Sequence, residues 1–199
     1  MAAIPSSSAT VFGLDIDQAA LLLAKTSMKN VALTNGDAHQ LSFSDGAFDI
    51  SFFHYVLLWL KDPAAAVSEA CRVTRPGGAV IAFAEPDYSQ RKTSSPDLIK
   101  VNEWQMNSLR AQGSDPTIGS RLGRIFSNAG IQPVEFGQMD PQRDPPSHGD
   151  FQLELEVLKS DLADQLAAEN LEAMISHLNE PGDLAGFQVP TFFCWGVKE

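Results

Sequence analysis

The chain has 199 residues, of which 44% are hydrophobic and 20% are charged, and it carries a net charge of -11. This length and composition allow one sizeable buried core and exclude a largely disordered chain. So acidic a surface repels phosphate backbones and anionic lipid headgroups, so we expect neither nucleic acid nor a membrane surface as a partner.

The first quarter of the chain predicts a strand, a helix and a second strand. Residues 10–14 form an apolar run that ends at the acidic Asp15, and Asp17 suits the N-cap of a helix over residues 18–28. Residues 31–34 predict the next strand, and the turn sequence Asn35-Gly36-Asp37 follows it.

The next segments continue this alternation of strand and helix. Residues 48–53 are apolar on both faces, which is typical of a strand inside a parallel sheet. Asp62-Pro63 predicts a helix start, Pro76-Gly77-Gly78 predicts its stop, and residues 79–84 predict another strand. The alternation favours a Rossmann-like, doubly wound and mostly parallel α/β sheet.

The second half is richer in helix. Helices are expected over residues 97–112 and 117–129, and strands over residues 131–136 and 190–197. Apolar residues at helical spacing over residues 151–178 predict a helical insert or lid at about 143–180, covering the carboxyl edge of the sheet. No linker separates two units, so we expect one domain over residues 1–199.

Three stretches carry a resemblance to a known family: VFGLDID at residues 11–17, NGDAHQLSFSDGAFDISFFHYVLLWLKDP at 35–63, and AAAVSEACRVTRPGGAVIAFAEPD at 64–87. In this order and spacing they resemble class I S-adenosylmethionine (SAM)-dependent methyltransferases, especially those that methylate small molecules such as quinone precursors. The resemblance implies SAM as cofactor, a small-molecule methyl acceptor as partner, and a last strand that runs antiparallel.

The resemblance also implies cofactor-binding residues. Asp15, with Ile16 beside it, would hold the ribose hydroxyls, although a carboxylate after a strand also caps a following helix. Asp37 and the backbone of Ala38 would meet the adenine, although Gly-Asp is also ordinary turn chemistry. Phe53 would line the cofactor site.

His54 and Tyr55 are the candidate catalytic residues. In the family this position faces the methionine part of the cofactor and the methyl acceptor, so His54 is also a candidate cofactor contact. A His or Tyr here can steer or deprotonate a hydroxyl, and the alternative is that both residues are packing residues of an aromatic-rich stretch. Glu85 and Asp87 end a strand at the same edge, where they either bind an acceptor or form a solvated rim, and the rim is favoured.

The family's glycine-rich cofactor loop has no counterpart here, because the chain contains no G-x-G sequence. In the family's strand order, 3-2-1-4-5-7-6, the first strand and its loop would precede Met1. Three explanations compete. In the first, which is favoured, the sequence is cut short; in the second, the strands that correspond to the family's second and fourth strands pair with each other; in the third, another chain supplies the missing strand.

The expected function is therefore methyl transfer from SAM to a small organic acceptor, impaired in this chain by the absent loop. The alternative is a non-catalytic methyltransferase-like subunit that binds or regulates a partner. The two cysteines, Cys71 and Cys194, lie far apart without metal-ligand spacing, so we expect no metal site and a reducing, cytoplasmic setting.

Overall fold

The structure is a computed structural model, and it describes residues 9–28, 30–93, 95–139, 148–162 and 188–199. The strands are β1 (Val11–Asp15), β2 (Val31–Asn35), β3 (Phe48–His54), β4 (Thr74–Pro86), β5 (Pro133–Gln138) and β6 (Thr191–Val197). The α-helices are α1 (Gln18–Ser27), α2 (Pro63–Val73), α3 (Pro96–Ala111), α4 (Leu122–Asn128) and α5 (His148–Leu162). All six strands predicted from the sequence are confirmed within a few residues, except that β4 begins earlier.

The strands form two sheets rather than the single, mostly parallel sheet expected from the sequence. β1 pairs with β2 in parallel, and the other sheet has the order β3-β4-β6-β5. β3 and β4 are parallel, while β6 runs antiparallel to both β4 and β5, as predicted for the last strand. The larger sheet is mixed because an antiparallel strand lies between two others, and no ladder of hydrogen bonds joins β1 to β3.

Aromatic side chains bring the two sheets together where hydrogen bonds do not. The ring of Phe12 on β1 lies 5.4 Å from the ring of Phe48 at the start of β3 and 5.9 Å from that of Phe43. Both contacts are edge-to-face, the arrangement that aromatic quadrupoles prefer. Of the three explanations left open by the sequence, direct re-pairing of β1 with β3 is not seen among the described residues.

The core lies on one face of the four-stranded sheet, beneath α2 and α4. Its fully buried side chains come from the sheet, from both helices and from the connections between them: Val80, Ala82, Cys194, Leu57, Leu58, Ala66, Val67, Ile118, Leu122 and Phe126. Side chains alternate across a strand, so Ile50 and Phe52 of β3 point to the opposite face, where they are 55% and 56% exposed.

Local sequence signals explain most helix ends. Asp17 and Asp62 both act as N-caps, with Asp17 accepting from the N–H of Ala19 and Asp62 from the N–H of Ala65. Gly130 follows α4 with a φ of +83°, the left-handed conformation that glycine commonly adopts after a helix. Pro76-Gly77-Gly78 does not end α2, which stops at Val73; it forms an irregularity inside β4, where Gly77 has a φ of +73°.

The loop between β2 and β3 is fastened to α2 by the paired side chains of Glu69 and Arg72. Arg72 Nε donates to Glu69 at 2.8 Å, and its other nitrogens donate to the carbonyls of Leu41 and Phe43. Glu69 also accepts from the N–H of Leu41, and its pKa is lowered mainly by the hydrogen bond from Arg72. These bonds fix the loop that follows Asp37.

The predicted helical insert is described only over α5, and the rest of residues 143–180 lies outside the described residues. α5 packs against α3, with Leu155, Leu158 and Leu162 buried. Within the described ranges, no helix has the length and apolar character needed to cross a membrane.

Candidate functional site

Polar side chains gather at the carboxyl ends of the parallel strands, which is where open α/β sheets bind ligands. The register of β1 and β2 pairs Asp15 with Asn35, so Asp37 follows two residues beyond that pairing. His54 ends β3, and it pairs with Phe83 of β4 shortly before β4 ends at Pro86. All the sequence-predicted site residues therefore lie at strand ends, divided between two sheets.

The helix cap is made by Asp17 and not by Asp15. Asp17 is the helix N-cap, whereas one carboxylate oxygen of Asp15 accepts the N–H of Asp17 at 2.8 Å. Asp15 is exposed, and no described residue engages its second oxygen, which leaves an acceptor at the end of the strand. Ile16 beside it is 72% exposed.

Asp37 is oriented by a residue that sequence reasoning did not single out. One oxygen, Oδ1, accepts both the backbone N–H of His39 at 2.9 Å and a hydrogen bond with His39 Nδ1 at 2.7 Å. These bonds lower the pKa of Asp37 and leave its other oxygen unengaged by described residues. On its other side, the His39 ring accepts the backbone N–H of Asp62 at Nε2, at 3.4 Å. Ala38, between Asp37 and His39, packs against the core.

Phe53 and His54 point in opposite directions. The Phe53 side chain is 9% exposed and belongs to the core beneath α2, so a ligand at the strand end meets its backbone rather than its ring. His54 is exposed, and its ring lies 4.6 Å from that of Phe83. The imidazole is thus exposed to solvent at the carboxyl end of β3.

Tyr55 makes the most specific contact of the predicted pair. Its hydroxyl lies 2.9 Å from that of Tyr88, which follows β4. Tyr55 is 39% exposed whereas Tyr88 is 3% exposed, so Tyr55 presents the accessible side of the pair. Burial raises the pKa of both hydroxyls, and the neighbouring Tyr55 raises that of Tyr88 further. Both tyrosines are therefore neutral hydrogen-bonding groups near neutral pH.

Glu85 and Asp87 are not the solvated rim expected from the sequence, because both are fully buried. Glu85 Oε1 accepts the N–H groups of Val56 and Leu57 at 2.9 and 3.1 Å, and burial raises the pKa of Glu85. Asp87 accepts from both the N–H and the hydroxyl of Ser89. Both carboxylates are buried because they accept hydrogen bonds from the turns at the strand ends.

A buried polar network extends the site from β4 to α5. The Arg91 side chain is 1% exposed, lies 5.0 Å above the Tyr88 ring and donates to Glu154 of α5 at 2.9 Å. Gln105 of α3 accepts from Arg91 and donates to Asp161 of α5. These hydrogen bonds dock α5 beside the tyrosine pair, and burial raises the pKa of both α5 carboxyls.

Sequence reasoning missed His39, Tyr88 and Arg91. His39 follows Asp37 at the i+2 position, where an aspartate often accepts local bonds, and that spacing was a usable signal. Tyr88 and Arg91 follow the end of β4, but no local pattern shows that α3 and α5 close over them. Within the described residues, no group of three or more His, Cys, Asp and Glu side chains is placed to hold a metal ion.

Comparisons with known proteins show what the chain is similar to. A family profile described as "Methyltransferase domain" matches residues 1–82. The chain is 30% identical to the demethylmenaquinone methyltransferase of Lactococcus lactis over 149 residues, which cover 65% of this chain and 58% of that protein. Across the first curated relatives that it matches, the chain spans 29–58% of their length.

Solved structures show the same fold at low identity. A phosphoethanolamine N-methyltransferase from Haemonchus contortus, solved with phosphomonomethylethanolamine and S-adenosylhomocysteine, superposes with a TM-score of 0.60 at 18% identity. That match covers 95% of this chain and 44% of that one. The [4+2]-cyclase SpnF superposes with a TM-score of 0.59 at 17% identity, covering 95% of this chain and 66% of that one. At such identities the likeness concerns the fold, and function has to be argued from the site.

Proposed function

We propose, from the match of residues 1–82 to the methyltransferase-domain family, that the protein transfers a methyl group from SAM to a small organic acceptor. The observation that carries the proposal is the pair of exposed carboxylates, Asp15 and Asp37, at the ends of two hydrogen-bonded parallel strands. Demethylmenaquinone methyltransferase, which is similar to this chain, is named for a small organic acceptor.

The residues present fit part of the cofactor. Asp15 has an oxygen available for the ribose hydroxyls, and Asp37 has one available for the adenine amino group, because their other oxygens are held by Asp17 and His39. Ala38 would add its backbone N–H, Ile16 would flank the ribose, and the backbone of Phe53 and His54 would face the methionine part. SAM, when bound, supplies an electrophilic methyl group on a sulfonium.

The acceptor side would lie between His54, Tyr55 and α5. Methyl transfer needs alignment of the reactants more than a strong base, so a neutral Tyr55 hydroxyl serves to orient an acceptor hydroxyl or amine. Arg91 lies over the Tyr88 ring and donates to Glu154 of α5, which supports the described part of the helical insert as a wall of the acceptor side.

We further infer that the gap between β1 and β3 is the position of the family's first strand and its glycine-rich loop. The order β2-β1, then β3-β4-β6-β5, equals the family order with its central strand left out. Without that strand the methionine part of SAM lacks its backbone partners, and hydrogen bonds to charged groups contribute about 1.5–3 kcal/mol each. SAM binding by the 199-residue chain is therefore expected to be weak or undetectable.

Isothermal titration with SAM tests this proposal. We expect little or no heat of binding with the 199-residue chain, and binding with a version extended by an upstream strand and a glycine-rich loop. Micromolar binding by the 199-residue chain would contradict the inferred impairment and point to a substitute site. Absence of binding by both versions would contradict the cofactor assignment.

The second candidate function is a non-catalytic subunit that keeps the fold. The observation that favours it is the divided sheet, together with the absence of any G-x-G sequence. The similarity in fold to SpnF, named as a cyclase, shows that this fold is not restricted to methyl transfer. A radioactive methyl-transfer assay with the extended version, which either labels small hydroxylated acceptors or does not, separates the two functions.

A further inference from the structure

The ends of β3 and β4 each carry a residue with left-handed backbone. Tyr55 has a φ of +56° and Ala84 a φ of +57°, and neither is glycine. Side chains larger than hydrogen are disfavoured there, so such residues persist only where their surroundings hold them, often beside functional sites. Both of these lie at the edge that carries His54.

One buried carboxylate connects these two strand ends. Glu85 follows the left-handed Ala84, and its Oε1 accepts the N–H groups of the two residues after the left-handed Tyr55. Glu85 is fully buried, and its second oxygen has no hydrogen-bond partner among the described residues. A buried carboxylate that leaves an oxygen unpaired is costly to retain for packing alone.

The backbone around Glu85 is itself tightly held. A Cβ built on Gly119 would lie 2.6 Å from the carbonyl oxygen of Glu85 and 2.9 Å from the carbonyl carbon of Pro86. A side chain at position 119 would therefore displace the backbone that carries Glu85.

We propose that Glu85 is a positioning residue, whose carboxylate holds the left-handed turn at Tyr55 and thereby keeps the Tyr55 hydroxyl against Tyr88. The proposal rests on the proposed function in one respect, namely that Tyr55 is the side chain that would orient the acceptor. The contacts of Glu85 with Val56 and Leu57 stand whatever the acceptor is.

The test uses the fact that Tyr55 and Tyr88 are the two tyrosines of the chain. Tyrosinate absorbance during a pH titration therefore reports on this pair and on no other tyrosine. Besides burial and Tyr88, the groups that act electrostatically on the pKa of Tyr55 are Arg91, Glu154 and Asp161, and His54 acts on the pKa of Glu85. The variants alter none of these groups.

In the wild-type protein both tyrosines should ionise above the ordinary tyrosine value of about 10. In Glu85→Ala the turn is released and Tyr55 becomes solvated, so one of the two ionisations should return to about 10. Val67→Ala is the control for lost core volume, since Val67 is a fully buried side chain of α2 that makes none of the hydrogen bonds of the turn. Its tyrosine titration should equal that of the wild type.

A second variant covers the case in which Glu85→Ala does not fold. Glu85→Asp is one methylene shorter and cannot reach both N–H groups, so amide exchange at Val56 and Leu57 should accelerate by about tenfold or more. A folded Glu85→Ala with wild-type tyrosine titration overturns the proposal, as does unchanged amide exchange in Glu85→Asp. If the titration shifts as expected and the extended protein transfers no methyl group, the proposed function fails and the positioning role of Glu85 remains.

Discussion

The Asp37 carboxylate and the His39 imidazole form a closed local pair, in which one carboxylate oxygen accepts from both the backbone N–H and Nδ1 of the same residue. This arrangement turns the second oxygen of Asp37 outward. Asp37, for which the sequence left both a turn role and an adenine-binding role open, is thus presented as a hydrogen-bond acceptor beyond the strand end.

Removal of the His39 ring should raise the pKa of Asp37. In the wild type the bonds from His39 lower that pKa, so the carboxylate form is favoured in the folded state and this preference is lost as pH falls through the lowered value. In His39→Ala the pKa should move back toward about 3.9, while the backbone bond keeps part of the effect. A carboxyl carbon NMR titration of Asp37 measures the shift, and an unchanged midpoint would show that the ring contact is absent in solution.

Asp15→Ala and Asp17→Ala should have opposite consequences. Asp17→Ala removes the N-cap of α1 and should lower stability by about 0.5–2 kcal/mol with no change in cofactor affinity. Asp15→Ala should instead weaken SAM binding by the extended version about tenfold to a hundredfold, with little loss of stability. Calorimetric titration and denaturant unfolding on both variants measure the two effects. Unchanged affinity in Asp15→Ala would remove the ribose role from that residue.

The docking of α5 should weaken as pH rises. The pKa values of Glu154 and Asp161 are raised by burial, so the folded state favours their protonated forms and stability is lost between about pH 4, the ordinary carboxyl value, and the raised values. Hydrogen exchange of α5 amides, corrected for the intrinsic rate, measures this trend. Glu154→Gln should reduce the slope, whereas Glu156→Gln, at an exposed position of the same helix, should leave it unchanged.

Two glycine substitutions should change stability in opposite directions. Gly119→Ala places a methyl group against the backbone of Glu85 and should destabilise the protein by about 1–3 kcal/mol. Gly123→Ala lies within α4, with Phe136 at an ordinary 3.6 Å, and should stabilise it by up to about 1 kcal/mol. Urea unfolding of both variants measures this, and equal midpoints would contradict the packing described around Gly119.

Sequence reasoning located the strands and helix caps because those signals are local. Asp17, Asp62 and Gly130 each act within a few residues of their own position, and alternating or continuous apolar runs mark strands without reference to partners. The resemblance to a family also supplied the antiparallel last strand, which no local pattern shows.

What could not be predicted depends on distant neighbours. Glu85 was expected to be solvated because strand ends usually are, but a turn from β3 encloses it. The contact of Tyr55 with Tyr88 spans 33 residues, and that of Arg91 with Glu154 spans 63. Such contacts follow from the packing of whole elements, so the acceptor side of the site was beyond the reach of local patterns.

The division of the sheet affects how the protein unfolds. β1, α1 and β2 contact mainly one another, and among the described residues of these elements only Leu21 is buried. Their main described side-chain link to the larger sheet runs through Phe12. A unit with so few cohesive contacts is expected to open at a lower free energy than the remainder of the molecule. Asp15 lies on this weaker unit, whereas Asp37 follows it in the loop that is fastened to α2. A nucleoside bound by both carboxylates would therefore tie the weaker unit to the rest of the molecule.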